Sequence, residues 1–332
     1  MKNLICAVVA FVGALVVSSC AGGGKALLPN VSGKAGEVMV VMDKSAWEGA
    51  LGADVRAVLG DECPYLEPAE PLFTLSNVNP SGFTNLFKVH RNLVIFVIDP
   101  DKSGGVIYRS DVWAAPQCVI QLSVPSIEEA QKIFALEGEK ICTAIEQAER
   151  DRVVANTLKY EEKDIYKSVS DMLGGSPHFP MGYKLRKASK NFVWVSDEKQ
   201  YTTQGVLIYT YPVGGEKNPF ALENILRHRN AAMRENVPGM FENTYMTTSS
   251  YITPTVQYIK YKGREFAQMR GFWEVENDFM GGPFVSHSFY TPDGQNIIVL
   301  DAFVYAPRYD KRQYLRQVES LLYSFEWAKK SE

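Results

Sequence analysis

Apolar residues are unevenly spaced along this chain, and their spacing predicts its elements in order. A run from Leu4 to Val17 follows Lys2 and ends in Val17-Ser18-Ser19-Cys20. Val38-Met39-Val40-Val41 and Leu93-Val94-Ile95-Phe96-Val97-Ile98 are continuous apolar runs of strand length, which predict buried strands. Ser45 followed by Glu48 has capping-box spacing and predicts a helix through Leu59. Asp61 to Pro71 is proline-rich and reads as a loop. Leu72 to Val78, Val106 to Ala114 and Cys118 to Val124 read as strands, and Phe83 to Val89 as a short helix or turn. Ser126 with Glu129 caps a helix whose apolar stripe is Ile127, Ile133, Phe134, Ile141, Ala144, Ile145 and Ala148. A polar helix from Glu161 to Leu173 follows, and Gly174-Gly175-Ser176-Pro177 then interrupts the pattern.

Beyond that break the pattern changes to period two. Tyr183 to Arg186, Phe192 to Ser196 and Gly205 to Tyr211 predict strands, and Asn218-Pro219 predicts the start of a helix running toward Asn236. Strands follow at Thr255 to Tyr261, Arg264 to Val275, Phe284 to Tyr290 and Asn296 to Tyr305, with hairpin turns at Lys262-Gly263 and Pro292-Asp293-Gly294. A last helix buries Tyr314, Leu315, Val318, Leu321, Leu322 and Phe325. Strands grouped ahead of helices predict an α+β protein of two units with mainly antiparallel sheets, each closed by a long amphipathic helix, and with helices on one sheet face. The units are expected at residues 36–175 and 176–328.

The first apolar run changes the picture most. It is too short for a mature membrane span, follows a positive residue and precedes small residues and Cys20, the arrangement of a bacterial lipoprotein signal over residues 1–19. Cys20 is the expected lipidation site, and more than one acyl chain there makes a stable anchor. Residues 20–35, with Ala21-Gly22-Gly23-Gly24 and no acidic residue, are expected to form a flexible tether. Ala21 is neither the Asp that marks inner-membrane retention nor part of an acidic export signal, so the expected address is the outer membrane, facing the periplasm.

Composition adds exclusions. Of the 332 residues, 46% are hydrophobic, which is ample for a buried core, and a net charge of −3 argues against a nucleic-acid partner. With Cys6 removed and Cys20 lipidated, Cys63, Cys118 and Cys142 remain; without a CxxC pair and with His90, His178, His228 and His287 far apart no zinc site is expected, and the thiols are expected either as buried free cysteines or with two of them in one internal disulfide. Neither a metal nor a cofactor is expected.

Glu274, Glu276 and Asp278 alternate with other residues, so a regular strand would carry all three carboxylates on one face, about 7 Å apart. They are the candidate catalytic residues for a hydrolase or ligands for Ca²⁺; the plainer alternative is a solvated sheet face with Trp273 and Val275 inward, neutralised by Arg264 and Arg270. Gly281-Gly282 reads as a tight connection needing positive φ. Lys88, His90 and Arg91 form either an anion site or a solvent-facing approach to a strand, and Arg227-His228-Arg229 an exposed helix face. Tyrosines crowd the second unit, among them Tyr201, Tyr209, Tyr211, Tyr245, Tyr251, Tyr258 and Tyr261, as sheet residues or as a glycan- or peptide-binding surface.

GEVMVV at Gly36, FTNLFKVHRN at Phe83, DVWAAPQ at Asp111, GVLIYTYP at Gly205, RGFWEVENDFMGGPFVS at Arg270 and FVYAPRYDKRQYLRQVES at Phe303 together make a pattern. It resembles a family of Bacteroidota lipoproteins classified as a domain of unknown function, DUF4837-like, over nearly all of the mature chain. The resemblance implies an envelope lipoprotein and brings no activity, substrate or catalytic residue. The second unit is also similar in element order to the αβα sandwich of photosystem extrinsic proteins. The functional expectation is a membrane-anchored, non-enzymatic binding or scaffold protein with an envelope protein or glycan as partner. The alternatives are a hydrolase using the acidic stripe, or a glycan- or peptide-binding module.

Overall fold

The computed structural model describes residues 27–328, so the signal, Cys20 and the start of the tether lie outside the described residues. The first unit runs β1 (Glu37–Val41), α1 (Lys44–Glu48), α2 (Ala50–Leu59), β2 (Thr74–Val78), α3 (Asn85–Lys88), β3 (Asn92–Ile98), β4 (Gly105–Ser110), β5 (Cys118–Val124) and α4 (Ile127–Lys159). Its sheet has the order β2-β1-β3-β5-β4. Pairs β1·β2, β1·β3 and β3·β5 are parallel, and only β4·β5 is antiparallel.

This corrects the expectation of a mainly antiparallel sheet, and the reason is visible in the strands. Val38, Val40, Met42, Val94 and Phe96 face the core under α2 and α4, while Met39, Val41, Leu93 and Ile95 are buried on the other face against Phe83, Phe87 and Trp113. A strand buried on both sides has no polar face to alternate, and continuous apolar runs are the signature of parallel sheets covered on both faces. The α1–α2 pair supplies the crossover that a parallel connection requires. Ser126 caps α4 as expected, its side chain accepting from the Glu129 amide. The Ser45 capping box is not formed; α1 starts at Lys44, and Gly49 separates it from α2. Gly52 permits the tight junction, since a Cβ there would sit 1.9 Å from the Trp47 carbonyl oxygen.

The second unit runs α5 (Lys163–Leu173), β6 (Gly175–Ser176), β7 (Lys184–Ser189), β8 (Phe192–Lys199), β9 (Thr202–Pro212), α6 (Leu222–Asn236), β10 (Met246–Thr248), β11 (Thr255–Tyr261), β12 (Arg264–Val275), β13 (Gly281–Tyr290), β14 (Asn296–Tyr305), α7 (Arg312–Tyr323) and β15 (Glu326–Trp327). Its large sheet, β10-β12-β13-β14-β9-β8-β7 with β11 also on β12, is antiparallel throughout. Helices cover both faces rather than one. Leu315, Val318 and Leu322 of α7 pack on one side with Ile165, Val169 and Leu173 of α5, and Ile225 and Met233 of α6 on the other. Helix α5 precedes the Gly174–Pro177 break in sequence but packs into the second unit's core. Asn218-Pro219 forms a turn ahead of α6, whose N-cap is Ala221.

The Asp61–Pro71 loop joins the units. Leu66 is buried in the second unit's core, and the Glu70 carboxylate accepts from the Lys311 and Arg312 amides (2.5 and 3.0 Å) at the start of α7. A carboxylate at a helix N-terminus satisfies otherwise orphaned amides and matches the helix dipole. Arg312 and Arg316 return hydrogen bonds to the carbonyls of Pro71 and Leu72, and Gln313 donates to that of Ala35.

Candidate ligand cleft between the two units

A cleft of about 960 Å³ opens where these elements meet. The 61–69 loop and α4 form one wall, β11, β12 and α7 the other. On α4 the row Glu146, Gln147 and Arg150 faces it, as helical spacing of three and four dictates. On β12, Gln268 and Arg270 alternate onto the same side, with Tyr323 and Glu319 one turn apart on α7. Tyr65 closes the mouth, its hydroxyl donating to Thr255 Oγ1 (2.9 Å).

The charges in the cleft are partly spoken for. Arg270 pairs with Glu319. Burial alone would lower the Arg270 guanidinium's pKa, but Glu319 and Glu146 outweigh it and hold the group charged. Arg150 stacks 3.6 Å from the Tyr323 ring centroid and, among the described residues, hydrogen-bonds only the Gln147 side-chain oxygen (2.9 Å). The Glu146 carboxylate has no hydrogen-bond or ion-pair partner among the described residues. Neither Glu146 nor Arg150, a helical turn apart on α4, has an ion-pair partner within 4 Å among the described residues, while Glu146 lies near enough to act on the Arg270 charge. Cys63 and Cys142 also line it, their thiols pushed up to about 11 and about 12, chiefly by burial. Both are protonated near neutral pH and poor nucleophiles.

Behind the cleft, Gln268 Nε2 donates to Tyr323 Oη (3.0 Å) and meets His287 Nε2 (3.1 Å). His287 is fully buried and stacked on Phe266; burial first, then Arg264, Arg150 and Arg270, hold its pKa well below the ordinary value. A histidine neutral when folded but protonated when unfolded makes the unfolded state bind more protons below about pH 6.5. Stability therefore falls with acidification there, by up to about 1.4 kcal/mol per pH unit for this group. Thermal melts between pH 7.5 and 5 should show a shallower acid loss in His287→Gln than in wild type; equal slopes would refute the assignment.

The expected acidic stripe is not a stripe. β12 ends at Val275, Glu276 and Asp278 lie in the following turn, and Asn277 there has φ 62. The Glu276 amide is tied to the Tyr245 carbonyl and the Asp278 amide to that of Val275, so only Glu274 is on the strand. Trp273 and Val275 do point inward. Among the described residues no group of three or more His, Cys, Asp or Glu is placed to hold a metal. Arg264 and Arg270 serve other partners, the carbonyls of Phe325 and Leu322 and the Glu319 carboxylate.

Gly281 and Gly282 are strand residues without positive φ. Gly282 is required for closeness: a Cβ there would lie 2.1 Å from the Val304 oxygen, which accepts from Trp273 Nε1 (3.1 Å). His90 is buried and Arg91 bonds Glu149 (2.6 Å), so with half-buried Lys88 they form neither an anion site nor a solvent-facing cluster. Arg229 is fully buried rather than exposed, and His228 stacks on Tyr211. Of the tyrosines, Tyr261 reaches the cleft, Tyr209 is buried, and Tyr251 and Tyr258 are exposed. Cys63, Cys118 and Cys142 are free thiols. The cleft's Glu146, Arg150 and Glu319 escaped sequence reasoning because a polar row on an amphipathic helix reads as its solvent side. The one available signal was that these rows sit on helices also carrying broad apolar stripes.

Comparisons place the chain among known sequences but assign it no activity. No curated protein matches it. A mutant of Protein Mog1 is similar in structure with TM-score 0.32 and 9% identity, covering 47% of this chain and 92% of that one. The human StarD13 (DLC2) lipid transfer and protein localization domain follows with TM-score 0.18 and 12% identity, covering 49% and 95%. Scores this low bear on neither fold nor function. Two family models match, and they divide the chain where its units divide: it carries a domain of unknown function (DUF8532) over residues 31–157 and a domain of unknown function (DUF4837) over residues 162–324.

Proposed function

We propose that this protein is a lipid-anchored component of the cell envelope, held through Cys20 at the outer membrane and facing the periplasm, whose work is binding rather than catalysis. The observation that carries the binding reading is the cleft between the units, where Glu146 and Arg150, neither in a direct ion pair among the described residues, stand beside Tyr65, Tyr261 and Tyr323. A carboxylate and a guanidinium on one wall, each free of a direct ion pair among the described residues and flanked by amide side chains Gln147, Gln257 and Gln268, suit a peptide bearing both an ammonium and a carboxylate. Tyrosine rings add apolar contact with a hydroxyl at the edge. The leader and Cys20 support the address, and the net charge of −3 speaks against nucleic acid.

Calorimetric titration of the protein with pools of tripeptides having free termini tests the reading. Saturable heat is expected with at least one pool, and Arg150→Ala and Glu146→Gln should each weaken it about fivefold or more. No saturable heat, or unchanged affinity in both variants, would remove the cleft as the site. In cells fed labelled palmitate, label should follow the protein and vanish with Cys20→Ala; an unlabelled wild-type protein would remove the anchor.

A further inference from the structure

The wall of the cleft built by β12 and α7 carries a chain of hydrogen bonds whose direction follows from the chemistry of its members. Arg270 pairs with Glu319 through Nη2, and its Nε donates to Gln268 Oε1 (3.1 Å). A guanidinium has donors and no acceptor, so the amide atom facing it is the oxygen, and the Gln268 nitrogen is turned the other way. Gln268 Nε2 therefore directs its two protons at Tyr323 Oη (3.0 Å) and His287 Nε2 (3.1 Å). The neutral His287 ring accepts at that nitrogen. Tyr323 Oη is thus an acceptor from the protein, and its own proton turns elsewhere. Among the described residues no hydrogen bond takes that proton.

The surroundings of the hydroxyl define the acceptor that suits it. Tyr323, its partner Gln268 and the charges that act most on its hydroxyl, Glu319, Arg150 and Arg270, all line the cleft. Those charges are two cations to one anion, and Arg270 is already paired with Glu319, which leaves Arg150. The Arg150 guanidinium lies over the Tyr323 ring and the hydroxyl at the ring's edge, so that the two oxygens of one carboxylate can take a proton from each. We propose that Tyr323 selects a free carboxylate in this cleft: its hydroxyl, aimed by Gln268, donates to one oxygen of a peptide's C-terminal carboxylate while Arg150 donates to the other, leaving the ammonium to Glu146. The inference rests on the peptide reading of the cleft and adds which residue reads the carboxyl end. Gln268 is a positioning residue, acting through Tyr323. A donor gains more from a charged acceptor than from a neutral one, so a peptide amide is the poorer ligand.

The test titrates the full chain calorimetrically with each tripeptide pool in three forms: free at both ends, amidated at the carboxyl end, and acetylated at the amino end. Amidation should weaken binding about tenfold. In Tyr323→Phe, which keeps the ring under Arg150, that penalty should shrink to about twofold, whereas the penalty for acetylation stays as in the wild type. A purely structural role for the hydroxyl would lower all three affinities together and leave both penalties unchanged. Gln268→Glu keeps the size of the side chain but offers the hydroxyl an acceptor inside the protein, so it should also remove the amidation penalty, with Tyr323 still present, and spare the acetylation penalty. Absence of saturable heat with every form would remove the peptide reading and this inference with it. Binding of the free pool without an amidation penalty, or a penalty that Tyr323→Phe leaves intact, would overturn this inference alone and leave the peptide reading standing.

Discussion

Replacing Asp301 by Ala is expected to cost about 3–5 kcal/mol of folding stability, measured by urea unfolding, because it strands a fully buried guanidinium. Arg229 and Asp301 are both 0% exposed, with Nε to Oδ2 at 2.8 Å and Nη2 to Oδ1 at 3.3 Å. Thr248 Oγ1 takes a third donor at 2.9 Å, and the guanidinium lies 3.7 Å from the Phe284 ring centroid. Burial disfavours the Asp301 charge and Arg229 restores it only in part, so the carboxyl sits above its ordinary range. The pair's net worth is therefore small although breaking it is costly: Arg229→Met combined with Asp301→Val should recover most of the loss, since apolar residues of similar volume often replace buried pairs at little cost. A loss under about 1 kcal/mol in Asp301→Ala, or a double variant less stable than the single, would contradict this account.

The counterpart in the first unit is Glu149, 1% exposed on α4. Its carboxylate accepts from Asn92 Nδ2 (2.7 Å), Gly36 N (3.1 Å) and Arg91 Nη2 (2.6 Å), and lies 3.2 Å from Arg152 Nη1. One side chain thus ties the long helix to the starts of β1 and β3. Glu149→Ala should cost about 3–5 kcal/mol, because it leaves two poorly exposed guanidiniums facing each other; Glu149→Gln, which keeps the shape and some acceptor capacity, should cost about half as much. Hydrogen exchange should quicken in β1 and β3 and not in β12 to β14. Exchange that quickens equally in both units, or a loss under about 1 kcal/mol, would show that this hub is not what holds the first unit. Because Glu149 lies on α4 of the first unit and Asp301 on β14 of the second, their effects should add.

Both hubs were hidden in plain sequence. Arg229 stands in the charged run Arg227-His228-Arg229 of α6, and Glu149 falls in Gln147-Ala148-Glu149-Arg150. Nothing local distinguishes a charge that will be buried from its solvated neighbours, since burial depends on a partner 72 residues away for Arg229 and 58 for Glu149. The acidic stripe failed for the opposite reason. Alternation through Asp278 was real, but the backbone turns at Asn277, where φ becomes positive, so period two stops carrying meaning two residues after β12 ends.

Local spacing was enough to place most elements and much of the second unit. Ser126 over Glu129, the Lys262-Gly263 turn with φ 46 and 82, and the α7 residues Leu315, Val318, Leu321 and Leu322 all act locally, through hydrogen bonds, permitted dihedrals and helical spacing within a few residues. Packing between distant segments set the rest: β1, β2, β3 and β5 run parallel, helices cover both faces of the large sheet, and the 61–71 loop seats Leu66 in the other unit's core. The same packing brought Glu146, Arg150, Arg270 and Glu319 to one cleft. Strand direction, helix side and the meeting of distant charges are set by which apolar faces bury one another, and that choice is made among segments far apart in the chain, where periodicity carries no information.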